Sequence, residues 1–372
     1  MFPRRLFLLF PLALPLGCTP APEPPPVYLG HLAPTGPRGQ AEVNGIALAV
    51  EQVNADAQNL PHGRRLAVIH ADVGDDPADY QSQAVRLKVV NDVWALVGGR
   101  SAAQARRLGE AALAEQVLAL TLSGVGGGPT NPFLFPIAAD PRERGKALAR
   151  FLADEKKAAR PLVLVDRRGA VYGELASGFR EALKGKEGAA ARTIEYGRGE
   201  SEAAIAERVA KEGKPSAVLI AGTAPDALHW KRLLEEKLGG EVAYLFGGGE
   251  ADVPELLVAV GGEGLVVPVS FHAAADDERA RAFVKAYREK FEEPPPAAAA
   301  LAHDAVSVYA QALRRAAEAA PAKVREQFGK EEPFEVLTGE LRYTKTGAPR
   351  RPVLVARVGE GALELVTKYE PE

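Results

Sequence analysis

The chain has 372 residues, 47% of them hydrophobic and 26% charged, which suits a globular protein long enough for two domains. Its formal net charge of -3, with no long run of Lys or Arg, excludes the basic footprint that a nucleic-acid phosphate backbone requires. The single cysteine excludes an internal disulfide framework, and the six dispersed histidines offer no helical zinc-motif spacing.

The first residues follow a different logic from the rest. Arg4 and Arg5 precede an apolar run from Leu6 to Leu16, which is shorter than the ~20 residues needed to span a bilayer and reads as a signal peptide over 1–17. Gly17 and then Cys18 follow, and 18–26 is Pro-rich and extended. A lone cysteine at a processing site resembles a bacterial lipoprotein signal, with Pro15 where such signals usually carry Leu. Lipid attachment at Cys18 is the expectation; a conventional signal peptide with an incidental cysteine is the alternative.

From Val27 onward, short apolar runs alternate with longer amphipathic segments, the pattern of a parallel sheet and its crossover helices. Strands are predicted at Val27 to Ala33, Leu66 to Ala71, Trp94 to Val97 and Val117 to Leu122. Between the first two, Val43, Ile46, Ala47, Val50 and Val53 fall at helical spacing. A second series has strands at Leu162 to Val165, Thr193 to Tyr196, Ala217 to Ile220 and Val242 to Phe246, each followed by a helical segment. Helices are then predicted over Asp277 to Phe291 and Ala297 to Ala319. Alternating segments near Leu337 to Tyr343, Val353 to Val358 and Leu363 to Val366 read as a late antiparallel addition.

Several short motifs stand in order along this frame. They are Gly30-His31-Leu32-Ala33-Pro34-Thr35-Gly36, the helix from Gly45 to Asn54, Asp72-Val73-Gly74-Asp75-Asp76-Pro77 and Val97-Gly98-Gly99-Arg100-Ser101. Then come Tyr172-Gly173-Glu174, Gly247-Gly248-Gly249-Glu250, Asp304-Ala305-Val306 and Leu337 to Tyr343. In this order the chain resembles the type I periplasmic binding proteins, in their leucine/isoleucine/valine-binding branch. The resemblance implies an α/β fold: two doubly wound, Rossmann-like lobes joined by a three-strand hinge, with crossovers near Pro136 to Ala139, Val267 to Ser270 and Phe334 to Glu340. Lobe 1 is then 27–137 plus 269–335, and lobe 2 is 138–268 plus 336–372. It also implies a small ligand held between the lobes, and closure that creates a surface for ABC permease subunits.

In open parallel sheets the ligand crevice lies off the carboxyl ends of the strands, where helix N-termini present unpaired N–H groups. Ser101 stands at such a point, as a carboxylate ligand, a helix N-cap, or both. Ser123 and the main-chain N–H of Val125 open the loop toward Gly126-Gly127-Gly128-Pro129-Thr130, whose competing reading is a connection without ligand contact. By the resemblance, Tyr172 lines the pocket, Glu250 pairs with an α-ammonium, and Thr223 replaces an aromatic contact. In packing terms Tyr172 is equally a helix-start aromatic, and Glu250 equally a carboxylate at the positive end of a short helix.

No nucleophile–base arrangement, phosphate loop or dinucleotide fingerprint is present, since Thr35-Gly36-Pro37 follows the first strand. A non-enzymatic, cofactor-free and metal-free monomer is expected, exported to the periplasm or cell surface and held by a lipid anchor. Its ligand class is an amino acid of branched-chain type or a related amide or carboxylate. The competing role is an envelope lipoprotein that uses the same fold as a sensor or protein-interaction module.

Overall fold

A computed structural model describes residues 24–55, 60–74, 79–126, 131–155, 159–185, 190–197, 199–239, 242–316, 318 and 320–371. The signal segment, Cys18, Asp75 to Pro77 and Gly127 to Thr130 lie outside them.

The first sheet is parallel, with spatial order β2-β1-β3-β4-β5. Its strands are β1 Val27–Ala33, β2 Leu66–Asp72, β3 Ala95–Gly98, β4 Leu118–Thr121 and β5 Leu134–Pro136. Every residue of β3 and β4 is buried, so both faces must be covered, and that explains continuous apolar runs in place of alternation. Helices α1 Pro37–Ala55, α2 Asp79–Asn91 and α3 Ala102–Glu115 supply part of the cover.

The chain then enters a second sheet through α4 Pro141–Asp154. Strands β6 Leu162–Asp166, β7 Arg192–Tyr196, β8 Ala217–Ala221, β9 Ala243–Phe246 and β10 Val266–Val269 alternate with α5 Ala170–Leu183, α6 Glu202–Lys211, α7 Ala224–Leu238 and α8 Val253–Val258. After β10 the chain returns to the first sheet. There α9 Glu278–Phe291 and α10 Ala297–Arg315 join α1, and α11 Pro321–Glu326 follows. Gly45 permits this packing: a Cβ there would stand 2.0 Å from the Ala299 carbonyl oxygen, so only glycine lets α1 and α10 approach so closely.

The late strands differ from the expected single addition. Only β14 Val353–Val358 and β15 Leu363–Tyr369 extend the second sheet, antiparallel beside β10. The segment Leu337 to Tyr343 instead splits between a turn and β12 Gly339–Tyr343, in a separate small sheet with β11 Phe334–Val336 and β13 Pro349–Arg350. Aromatic packing is the cause. Phe334, Val336 and Leu341 belong to the core of the first sheet, where the ring of Phe328 lies 4.6 Å from Phe135 and 5.1 Å from Phe334.

The three passages between the sheets meet at one buried cation. Arg351 is 0% exposed and its partner Asp304 1%, with Nη2 to Oδ2 at 3.1 Å. Arg351 Nη1 also donates to the Ile137 carbonyl at 2.7 Å, and Nη2 lies 3.3 Å from the Ser270 carbonyl and 3.1 Å from Thr338 Oγ1. The second Asp304 oxygen accepts the Leu337 N–H at 2.9 Å, and Ser270 Oγ accepts the Ala139 N–H at 3.0 Å. Arg351→Met should cost about 3–5 kcal/mol in denaturant unfolding, because it strands a buried carboxylate, whereas adding Asp304→Leu should recover much of that loss.

His303 on α10 is buried, its Nε2 2.8 Å from Gln52 Oε1 on α1 and its Nδ1 3.5 Å from Ser307 Oγ. Burial lowers its pKa from the ordinary 6.5 to about 4. The unfolded chain therefore takes up this proton first, so the stability it represents is intact above pH 6.5 and is lost as pH falls toward 4. The full window is worth about 3 kcal/mol. Unfolding free energies measured across it should fall with acidity, and His303→Gln should flatten the slope.

Candidate functional site

A cleft of about 1110 Å³ opens where the carboxyl ends of the two sheets face each other. On the first lobe it is walled by Ser101, Arg106, Arg107 and Glu110 of the β3–α3 turn and helix, and by Ser123 and Gly124 after β4. The second lobe contributes Arg144 of α4, Asp166, Arg168 and Tyr172 after β6, Thr223 and Asp226 after β8, and Asp252 after β9. Four arginines face four acids, which excludes a strong field of either sign.

Ser101 is the N-cap of α3. Its Oγ accepts the Gln104 N–H at 3.3 Å while its own N–H donates to Gln104 Oε1 at 3.3 Å, so it caps the helix and lines the cleft at once. Ser123 Oγ donates to the Gly124 carbonyl at 3.2 Å and also faces the cleft. Val125 lies off the main cleft, beside an adjoining cavity of about 340 Å³, and its carbonyl accepts from Arg106 Nη2 at 3.3 Å. Next to it, Gly126 carries the first lobe against the second. It has φ +56, and a Cβ there would stand 2.7 Å from Val171 Cα.

On the second lobe, Tyr172 lines the cleft with its pKa pushed up to about 12, first by burial and then by Asp252, Asp166 and Asp226. The phenol is therefore a hydrogen-bond donor at neutral pH. Thr223 caps α7: its Oγ1 accepts the Asp226 N–H at 3.3 Å and donates to Asp226 Oδ2 at 2.8 Å. Arg168 is held by two acids, with Nε 2.8 Å from both oxygens of the buried Asp166 and Nη2 3.3 Å from Asp226 Oδ2.

Glu250 is placed apart from these residues. Its Oε2 accepts the Ser270 N–H at 2.9 Å and its Oε1 the Ser270 hydroxyl at 2.5 Å, and it is not among the residues that wall the cleft. Asp252, two positions on, is. Asp252 Oδ2 accepts the Gly249 N–H at 3.0 Å, and burial raises its pKa above the ordinary carboxylate value.

The structure thus brings Ser101, Ser123, Tyr172 and Thr223 to one cleft, and sets Val125 and Glu250 beside it. Sequence reasoning missed Arg144, Arg168, Asp226 and Asp252. Asp226 and Asp252 carried a signal, each standing three residues after a strand-end turn at the N3 position of a helical start. Arg144 carried none, since its place in the cleft depends on how α4 packs. No group of three or more metal-ligating side chains occurs among the described residues, and none of their helices is long and apolar enough to cross a membrane.

Two α/β lobes, three passages between them and a polar cleft at their shared mouth define the architecture of a two-lobed binding protein. The sequence profile of the periplasmic binding protein family matches residues 27–362, and the chain belongs to that family. Solved structures agree in fold. The leucine-binding protein LivK of Thermotoga maritima shares 23% identity and a TM-score of 0.75, over 93% of this chain and 99% of that one. LivJ of Streptococcus pneumoniae, a branched-chain amino acid transporter substrate-binding protein in complex with isoleucine, shares 23% identity and a TM-score of 0.72, over 93% and 100%. A solute-binding protein of an ABC transporter from R. palustris, in complex with benzoate, shares 17% identity and a TM-score of 0.69, over 93% and 97%. Comparison with curated protein sequences returns no match.

Gly126→Ala should lower stability by about 1–2 kcal/mol, since an added Cβ meets both the positive φ and the Val171 backbone. Urea unfolding measures this loss.

Proposed function

We propose that the chain is the extracytoplasmic receptor of an ABC importer, capturing a small polar solute between its lobes by closure about the hinge. The solute is an amino acid of branched-chain type or a related amide or carboxylate. Closure juxtaposes surfaces of both lobes for the permease subunits. The observation that carries this reading is the cleft itself, which sets the N-terminus of α3, capped by Ser101, across from Tyr172 and Thr223 on the other lobe. Helix N-termini favour anions. Leucine, isoleucine and benzoate, the ligands of structurally similar proteins, have a carboxylate in common.

The moving bodies in this reading are the lobes expected from the sequence, 27–137 with 269–335 and 138–268 with 336–372, and the stretch with Leu341 and Tyr343 packs back on the first core: the Tyr343 hydroxyl donates to the Pro136 carbonyl at 3.0 Å. Arg4, Arg5, the apolar run and Gly17-Cys18 support export and lipid attachment of a monomer to the outside of a membrane. A lipid anchor keeps a receptor near its permease, and stable anchoring takes more than one acyl chain, since a single chain binds only marginally.

A thermal-shift panel of amino acids, amides and carboxylates tests the proposal. A true ligand at 100 times its Kd should add about 2.7 kcal/mol of stability. Silence across the whole panel would instead support the sensor or interaction-module role. Ser101→Ala should weaken a carboxylate ligand and leave its uncharged amide analogue unchanged; equal weakening of both would trace the effect to the lost cap.

A further inference from the structure

Two oppositely charged side chains of the second lobe stand in the cleft without a contact ion pair to any described residue. Arg144 is 4% exposed, lines the cleft, and its Nε is buried with no hydrogen-bond partner. Among the described residues its one hydrogen bond runs from Nη2 to the Pro268 carbonyl, at 3.1 Å. Among the described residues Asp252 accepts one hydrogen bond, from the Gly249 N–H. Neither forms an ion pair within 4.0 Å with a described residue, whereas the other charged groups lining the second lobe, Asp166, Arg168 and Asp226, are bound to one another.

Desolvation acts on the two in opposite directions. Burial pulls the pKa of Arg144 down, offset through space first by Glu250 and then by Asp252 and Asp140, and it pushes that of Asp252 up, offset by the Gly249 N–H and then by Arg144. A desolvated ion without a contact partner is costly, so both sites gain from a ligand that brings the missing charge. Glu250 offers no such gain, because its two oxygens are already engaged by the Ser270 N–H and hydroxyl at the hinge.

We infer that Arg144 and Asp252 form a split receptor for a zwitterionic head group, Arg144 taking the α-carboxylate and Asp252 the α-ammonium. This assignment rests on the proposed capture of a small solute in the cleft. The carboxylate lies between Arg144 and the N-terminus of α3, so its negative charge is shared by both lobes and favours closure. Asp252 makes the cleft select amino acids over their deaminated counterparts. Glu250 acts as a positioning residue, holding the second hinge passage through Ser270.

Three probes of one shape separate the roles: L-leucine carries both charges, 4-methyl-2-oxopentanoate only the carboxylate, and L-leucinamide only the ammonium. Isothermal titration of the full mature protein should show Asp252→Asn weakening leucine and leucinamide at least tenfold while the oxo acid changes less than threefold. Arg144→Lys should show the complementary pattern, with leucine and the oxo acid weakened and leucinamide spared. Because Arg144 also supports the Pro268 carbonyl, its folding is checked by circular dichroism, and Asp252→Asn decides the matter if the Arg144 variant is unstable. Glu250→Gln should shift all three probes equally. If Glu250→Gln, and not Asp252→Asn, separates leucine from the oxo acid, the assignment is overturned while solute capture stands. Failure of the wild type to bind any probe overturns it too, and solute capture is then decided by the wider panel.

Discussion

The guanidinium of Arg351 has no access to water and must find its partners inside the protein. It finds them on every passage between the lobes: the Ile137 carbonyl on the first, the Ser270 carbonyl on the second, and Thr338 ahead of the third, which Arg351 itself carries, with Asp304 of α10 supplying the charge. A hinge must flex without losing register. Charge-assisted hydrogen bonds to backbone carbonyls suit that need, since they are directional and concentrated at one point. The cost is a pair of buried ions, and an apolar replacement of both would be tolerated energetically. What such a replacement would lack is the geometric definition of where the three segments meet, and therefore of how the two cleft walls face each other.

The walls themselves follow from a repeated local device. Each parallel strand ends in a short turn and then a helix, whose first N–H groups have no partner within the helix. Ser101 and Thr223 satisfy those groups in α3 and α7, and the Asp252 carboxylate satisfies the Gly249 N–H at the helical start after β9. Polar side chains therefore collect at the carboxyl ends of both sheets for reasons of helix capping alone. In the proposed function, binding chemistry would build on groups that folding has already placed there, so the capping and ligand readings of Ser101 do not compete.

Charge differs between the two walls. On the first lobe, Arg106 lies near the positive end of α3 and donates to the Val125 carbonyl. The second lobe is rich in acids, most of them neutralised by Arg168, which bridges Asp166 and Asp226. On this wall the groups without a contact ion pair to a described residue are Arg144 and Asp252, and a small number of placed polar groups is what orientation of a small solute requires. Glu250 shows how a motif residue can be diverted: two donors from Ser270 hold it beside the passage that follows β10, which it links to the helical start after β9.

Strand and helix order was legible in the sequence because burial on both faces of a parallel sheet leaves a run such as Leu162 to Asp166 with hardly a polar residue, while the intervening helices keep one polar side. Helix-start residues were legible for the same local reason, and Ser101, Ser123, Tyr172 and Thr223 all reached the cleft. Two things were decided only by tertiary packing. The strand Gly339–Tyr343 alternates as any half-buried strand does, and only the aromatic cluster around Phe328 assigned it to the first core. Likewise nothing near Arg144, Asp252 or Arg351 in the chain tells a buried ion from a surface one. Charge in a sequence is a number, and its cost or use depends on which partners the fold brings within reach.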